Sequence, residues 1–161
     1  MVAVLLLCGT LVVTRNTARR QLRAYVCVLS AVREPADDGG AFEKVTMNIK
    51  NAGQTPAYRA VVRHALVWAA DEKSVVFEEE NLKRSEVATL GPYLPQGIVE
   101  LIPHSNPEFR AFARGNGCYL LFGVIEYKDA FGTPRKTWFR LVDTHISVAS
   151  FGYSRQGNDA N

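Results

Sequence analysis

The chain has 161 residues, a formal net charge of +3 and 47% hydrophobic residues, enough for one domain with an ordinary core. The small net charge, without a run of Lys and Arg interleaved with aromatic residues, argues against nucleic acid as a partner. Three cysteines, with no Cys-x-x-Cys and no Cys/His pair at metal spacing, exclude a disulfide framework and predict neither a metal nor a cofactor.

The chain begins with an uncharged apolar run, MVAVLLLCGTLVV. A helix over Val2–Val13 would be about 18 Å long, whereas the hydrocarbon core of a bilayer is about 30 Å thick. Three interpretations are open: a membrane helix whose beginning is missing or shortened, a secretory signal, and a buried or interfacial helix of a soluble protein. We favour the membrane helix over the signal, because no positive charge precedes the run.

Four arginines follow the apolar run closely: Arg15, Arg19, Arg20 and Arg23. Arginines beside an apolar segment are typical of a membrane surface, so we expect membrane lipid as a partner. Because they follow the run, the positive-inside tendency favours a single-pass protein with its C-terminal domain in the cytoplasm. The predicted organisation is an apolar helix and basic linker over 1–21, a β domain over 22–152 and a disordered tail over 153–161.

The first predicted strands lie on either side of a turn-forming stretch. Leu22–Arg33 is rich in branched and aromatic residues, and Phe42–Lys50 alternates cleanly between apolar and polar side chains. Asn51–Ala57 then connects two central strands, with Asn and Gly tolerating positive φ and Thr-Pro fixing an extended backbone. In the following strand, Tyr58–Ala70, His64 falls on the apolar face with Tyr58. We expect a core-edge histidine that forms a hydrogen bond, not a metal ligand.

The remaining elements are short, apart from one apolar strand, Cys118–Lys128, which we expect at the centre of a sheet. A helix near 107–114 is predicted because Asn106 can cap it, Pro107 fits its first turn and Gly115 can end it. The other predicted strands are Ser74–Phe77, Val87–Leu90, Ile98–Ile102, Arg135–Val142 and an edge strand over Thr144–Ser150.

Short strands separated by turn signals, with little helix, predict an all-β fold, and we favour an antiparallel β-sandwich over an open barrel. Cys27 and Cys118 fall in separate predicted strands. They could pair in an oxidising compartment, but buried free thiols are the more frequent case, and we expect those.

Three short motifs resemble a group of uncharacterised bacterial proteins: QLRAYV at Gln21–Val26, NAGQTPA at Asn51–Ala57 and YKDAFG at Tyr127–Gly132. Proteins of that group carry one or two N-terminal membrane helices, a basic linker and an immunoglobulin-like β domain. The resemblance implies an immunoglobulin-like sandwich of about seven to eight strands. It also implies attachment to a bacterial inner membrane, and no particular activity.

An enzymatic function has one candidate constellation. Glu126 and Asp129, with His104 or His145 brought close by folding, could perform the acid/base chemistry of a hydrolase. The spacing is not diagnostic, and Asp129 before Phe131 and Gly132 is better explained as a turn residue that accepts backbone hydrogen bonds. We therefore expect no catalytic residue.

A non-enzymatic binding module is the favoured function, because β-sandwiches commonly present loops or faces to partners. Tyr93 and Leu94, in the loop Gly91–Gly97, are one candidate surface for a protein partner. A second is the cationic face around Trp138, formed with Lys136 and Arg140; alternatively, these long side chains simply cover the tryptophan. An accessory subunit that associates through its membrane helix is a further hypothesis.

Overall fold

The structure is a computed structural model, and it describes residues 13–36, 40–144 and 149–160. Most of the predicted apolar helix, together with Cys8, His145 and most of the predicted edge strand at 144–150, lies outside these ranges. A helix, α1, covers residues 13–21 of the described chain. Among the described residues, no helix combines the length and the apolar character needed to cross a bilayer.

Most of the chain is antiparallel β-strand, with 55% of residues in strands. A short helix, α2 (Pro107–Ala113), lies between the fifth and sixth strands. In chain order the strands are β1 (Val26–Pro35), β2 (Phe42–Asn51), β3 (Ala57–Ala69), β4 (Lys83–Leu90), β5 (Pro95–Pro103), β6 (Cys118–Lys128), β7 (Pro134–Asp143), β8 (Gly152–Tyr153) and β9 (Asp159–Ala160).

The strands form two sheets, which agrees with the predicted all-β sandwich class. The smaller sheet has the order β1-β2-β5, and the larger has the order β4-β3-β6-β7-β8, with β9 also pairing with β7. A core of apolar side chains from both sheets fills the space between them. The clean alternation predicted for β2 is confirmed, because Val45, Met47 and Ile49 are all at most 2% exposed.

The strand β6 is central, as predicted, and both faces of the sheet are covered there. Its inner face packs on the smaller sheet. On its outer face, Leu120 and Phe122 pack against Val75, Phe77 and Leu82 from the segment between β3 and β4. A strand buried on both faces has no polar side to expose, and this explains its continuous apolar sequence.

The segment between β3 and β4 contradicts one predicted strand. In place of a strand over Ser74–Phe77, a 3₁₀ turn covers Glu72–Ser74. The Asp71 carboxylate accepts a hydrogen bond from the Lys73 amide at 3.1 Å, and the Ser74 hydroxyl donates to the Asp71 carbonyl at 2.6 Å. These local bonds hold the backbone in a turn in place of a strand ladder.

Two further details differ from the sequence-based expectation. Tyr58 is 43% exposed and not on the buried face, because a bulge interrupts the β3 ladder between Ala57 and Ala60. The segment 153–160, predicted to be disordered, adds β9 and part of β8 to the edge of β7. There the Asn158 side chain accepts a hydrogen bond from the Arg140 amide at 2.9 Å, satisfying part of that edge.

The connection from β2 to β3 crosses between the two sheets and is organised by Asn51. Asn51 is fully buried, and its side-chain oxygen accepts hydrogen bonds from the amides of Tyr25 at 3.1 Å and Gly53 at 3.0 Å. Its side-chain nitrogen donates to the carbonyls of Thr55 at 2.7 Å and Leu90 at 3.2 Å. We refer to Asn51 with these four partners as the Asn51 junction.

Gly53 lies in this junction for a reason other than the one predicted. Its φ is not in the positive region; instead, a Cβ atom at this position would lie 2.3 Å from the Arg23 carbonyl oxygen and 2.7 Å from the Tyr25 amide nitrogen. Contacts that short require backbone movement. Glycine is therefore needed because two backbone segments touch.

Gly53→Ala should lower the free energy of unfolding by about 2 kcal/mol, because the backbone around Arg23 must shift to admit a methyl group. Gly152→Ala is the matched control, since its Cβ would lie 4.0 Å from the nearest heavy atom outside its chain neighbours, the Val142 carbonyl oxygen. It should change the free energy by less than about 0.5 kcal/mol. Denaturant titration compares the two variants, and equal effects would show that the close approach at Gly53 is unimportant.

Candidate functional site

Three segments meet the β2–β3 connection at the end of the sandwich that carries the Asn51 junction: the chain after α1, the β4–β5 loop and the β6–β7 turn. The Thr55 hydroxyl donates to the Leu22 carbonyl at 2.5 Å, which ties the chain after α1 to the β2–β3 connection. The Tyr93 amide donates to the Asn51 carbonyl at 2.8 Å, so the β4–β5 loop lies there as well. The Tyr127 hydroxyl donates to the Ala24 carbonyl at 3.2 Å and brings the β6–β7 turn alongside. We call this region the basic end.

Arginines from two distant parts of the chain converge at the basic end. A cleft of about 190 Å³ lies between α1 and the β6–β7 turn, lined by Arg19, Arg20, Arg23, Asp129, Phe131, Thr133 and Arg135. The Arg19 guanidinium carbon lies 5.4 Å from the centre of the Phe131 ring. Arg15, the fourth arginine of the predicted cluster, is exposed on α1 and does not line the cleft. The sequence cluster is thus largely brought together, and Arg135 joins it.

Among the residues that the structure describes, Asp129 is the one carboxylate that lines this cleft, and its hydrogen bonds are directed to the turn. It accepts from the amides of Phe131 and Thr133, each at 2.9 Å, and from Arg135 Nε at 3.2 Å. Burial raises the pKa of Asp129, but these donors outweigh it and hold the pKa below its ordinary value. Its predicted role as a turn residue is confirmed.

The arginine cleft keeps an excess of positive charge. Four arginines face one carboxylate there, and that carboxylate is paired with Arg135. Across the described ranges, Arg19, Arg20 and Arg23 form no ion pair with a carboxylate. Such a cluster is suited to an external anion.

Exposed apolar and aromatic side chains lie around the same end of the molecule. They are between 40% and 70% exposed and comprise Leu22, Tyr25, Tyr58, Tyr93, Leu94 and Phe131. Tyr25 lies under the Arg23 guanidinium at 4.3 Å, and Tyr93 lies 5.7 Å from the Lys50 ammonium. Aromatic rings next to cations are the side chains found where proteins meet the headgroup layer of a bilayer.

The second predicted partner surface lies elsewhere, on the outer face of the larger sheet along β7, and its side chains have internal contacts. Lys136 pairs with Glu126 at 2.9 Å. Trp138 Nε1 is 3.5 Å from Glu79 Oε1, and Arg140 donates to the Val75 carbonyl at 3.2 Å. The structure therefore does not bring these residues together with Tyr93 and Leu94.

The candidate acid/base residues are held by other partners. Glu126 forms ion pairs with Arg63, at 3.1 Å, and with Lys136. Asp129 accepts hydrogen bonds within the β6–β7 turn. His104 lies 3.3 Å from Glu43 and stacks on Phe109, with ring centres 4.6 Å apart. Within the part of the chain that the structure describes, no three His, Cys, Asp or Glu side chains are grouped to hold a metal ion.

A buried ion pair that sequence reasoning missed joins the two sheets. Arg33 Nε in β1 lies 2.9 Å from the Asp143 carboxylate at the end of β7, and both side chains are at most 5% exposed. Arg33 also reaches Glu43 at 3.4 Å and lies 5.1 Å from the centre of the Phe112 ring. The pair explains why charged residues are tolerated inside the core, and we assign it a structural role.

His64 is fully buried and hydrogen-bonded, as predicted, but its partner comes from the opposite sheet. Its Nε2 lies 2.8 Å from Glu100 Oε1 in β5, and Lys83 Nζ approaches the same carboxylate at 2.8 Å. Burial raises the pKa of Glu100, but the hydrogen bonds from Lys83 and His64 outweigh it and lower the pKa below its ordinary value. This contact closes the open side of the sandwich between β4 and β5.

The free energy of unfolding should fall below pH 4.5 in a way that depends on Glu100. Because its folded pKa lies below the ordinary value of 4.5, its stabilisation is present above that pH and is lost as the pH falls through the folded pKa. Glu100→Gln should therefore cost about 1 kcal/mol at neutral pH and flatten the acid decline. Denaturant titrations across this pH range test it, with Glu86→Gln as the exposed control; identical pH profiles for wild type and Glu100→Gln would refute the assignment.

Cys27 and Cys118 are free thiols, as expected, but only Cys118 is buried and Cys27 is partly exposed. Burial raises the pKa of the Cys27 thiol, and the nearby Lys50 opposes this only in part. Burial also raises the pKa of Cys118, with Glu72 and Asp71 adding to the shift. A thiol with a raised pKa holds little reactive thiolate at neutral pH.

No protein-family model matches the chain, and no curated protein has a significantly similar sequence.

Proposed function

We propose that the protein is a non-enzymatic β-sandwich module attached to a membrane, with its basic end against an anionic membrane surface. The observation that carries this proposal is the coincidence, at one end of the molecule, of arginines without carboxylate partners in the described ranges and exposed aromatic and aliphatic side chains. In sequence, the apolar run precedes α1, which contributes Arg19 and Arg20 to this end, and the run would supply the attachment.

The energetics support a surface contact that assists an anchor. An arginine near an anionic bilayer contributes about 1 kcal/mol, so the three arginines of the cleft other than Arg135, which is paired with Asp129, contribute about 3 kcal/mol together. Leu94, which is 70% exposed, and Tyr93 add apolar burial when they enter the headgroup layer. A contact of this strength is reversible by itself, and it orients a domain that an apolar segment already holds near the bilayer.

The finer assignment is an immunoglobulin-like domain of a bacterial inner-membrane protein, with the domain in the cytoplasm. Its support is that the three motifs behind the resemblance meet at the basic end. Gly53 of NAGQTPA packs on the backbone of Arg23 and Tyr25 in QLRAYV. Tyr127 of YKDAFG bonds to the Ala24 carbonyl in the same motif. The remaining surface, including the face around Trp138, is left for a protein partner.

The proposed orientation predicts that position 94 reaches the lipid and that position 101 does not. Both leucines are exposed, at 70% and 56%, but Leu101 lies on β5, away from the basic end. The full-length protein carrying Leu94→Trp or Leu101→Trp is reconstituted in nanodiscs that contain anionic and brominated lipids. Bromine should quench the added fluorescence only in Leu94→Trp, after subtraction of the signal from Trp68 and Trp138 in the parent protein.

Equal quenching of the two variants, or no added quenching for Leu94→Trp, would contradict the orientation. Recovery of the full-length protein in the soluble fraction without detergent would contradict the attachment itself.

A further inference from the structure

We infer that the cleft between α1 and the β6–β7 turn binds the phosphate group of an anionic lipid headgroup. The inference rests on the proposed function and adds a defined binding site to it. The residues assigned to the phosphate are Arg19, Arg20, Arg23 and Arg135, with the Thr133 hydroxyl as a further donor.

The donors come from separate structural elements and enclose one small volume. Arg19 and Arg20 lie on α1, Arg23 lies in the segment that follows it, and Arg135 lies at the start of β7. Guanidinium groups donate two parallel hydrogen bonds to phosphate oxygens, a geometry that a lysine ammonium cannot reproduce. A volume of about 190 Å³ accommodates a phosphate and the first atoms bonded to it, but not a large ligand.

The aromatic contacts leave the arginine donors available. Arg19 lies over Phe131, and Arg23 lies over Tyr25. The N–H groups of a guanidinium lie in its own plane, so a guanidinium held over a ring can still donate sideways to an anion. These ring contacts restrict Arg19 and Arg23 without pairing either side chain with a carboxylate of the described residues.

Arg135 is positioned by a carboxylate. Arg135 donates through Nε to Asp129 at 3.2 Å, and a guanidinium retains four further N–H donors on its terminal nitrogens. Asp129 in turn is fixed by the turn amides of Phe131 and Thr133. A side chain oriented before binding loses less conformational entropy when the anion arrives, which favours a site over a diffuse positive surface.

The surroundings of the cleft favour a lipid headgroup as the source of the phosphate. Phe131 lines the cleft and is 42% exposed, and Leu22 and Tyr25 lie beside it with similar exposure. A freely dissolved phosphate gains nothing from apolar neighbours, whereas a lipid phosphate brings glycerol and acyl carbons that contact them. In sequence, α1 directly follows the apolar run, so the cleft would lie at headgroup depth in the proposed orientation.

The test uses the full-length protein in an uncharged detergent, followed by NMR of the arginine Nε–Hε groups. The protein is titrated with short-chain phosphatidylglycerol, short-chain phosphatidylcholine and inorganic phosphate. Phosphatidylglycerol should shift the signals of Arg23 and Arg135 and bind more tightly than either other ligand. Arg23→Gln and Arg19→Gln should each weaken its affinity about tenfold, because each removes a charge-assisted bond.

Arg84→Gln is the matched control, since Arg84 is an exposed arginine on β4 outside the cleft. Equal weakening by Arg84→Gln would show a diffuse charge effect and overturn the site. Binding of inorganic phosphate as tightly as phosphatidylglycerol would overturn the assignment to a lipid. If bromine quenches Leu94→Trp while the arginine variants bind phosphatidylglycerol normally, the phosphate site is wrong and the proposed function stands. If bromine does not quench Leu94→Trp while the arginine variants bind phosphatidylglycerol more weakly, only the proposed orientation is wrong.

Discussion

The carboxamide of Asn51 is the interaction on which the rest of the structure depends. A side-chain amide offers two donors and two acceptor positions, and Asn51 uses all four on backbone groups. These groups belong to the chain after α1, the crossing between the sheets and the end of β4. The bonds with Gly53 and Leu90 are buried, so breaking either would leave a backbone group without water, at about 1–3 kcal/mol per group.

The Asn51 junction also determines what the basic end can present. The Asn51 side chain fixes the backbone at Tyr25. The close approach of Gly53 to the Arg23 carbonyl fixes the backbone two residues earlier, at Arg23. Arg23 therefore lies beside the β6–β7 turn, where Arg135 is hydrogen-bonded to Asp129. The same junction holds the β4–β5 loop, so Tyr93 and Leu94 project from the end that carries the arginines. One buried amide thus couples the fold to the proposed membrane contact.

The features that sequence predicts well are those with a local pattern. The alternation of β2, the apolar run of β6 and the capped helix after Asn106 each depend on neighbours within a few residues, and each is present. The cap is explicit, because the Asn106 side chain accepts from the Glu108 amide at 2.9 Å. The cluster of arginines after the apolar run can likewise be read from the sequence, because its members lie within a few residues of one another.

The features that sequence misses depend on contacts between distant residues. The sequence around Gly53 favours a positive φ, because the approach of Arg23, thirty positions earlier in sequence, has no local signature. Arg33 and Asp143 lie 110 positions apart, and Glu100 lies 36 positions from His64. Arg135 could not be grouped with Arg19 and Arg23 before the β6–β7 turn was placed beside α1. Spacing along the chain carries no information about such pairs unless the sheet order is known.

Amide hydrogen exchange at Tyr25 and Gly53 in the folded full-length protein shows whether the Asn51 junction opens only together with the core. Both amides donate to Asn51 Oδ1, and neither depends on a strand ladder for that bond. Both amides should exchange as slowly as the amides in the middle of β6, because they open only when the sandwich unfolds. Exchange as fast as that of the exposed turn at Gly40 would contradict it, since the junction would then open independently of the core.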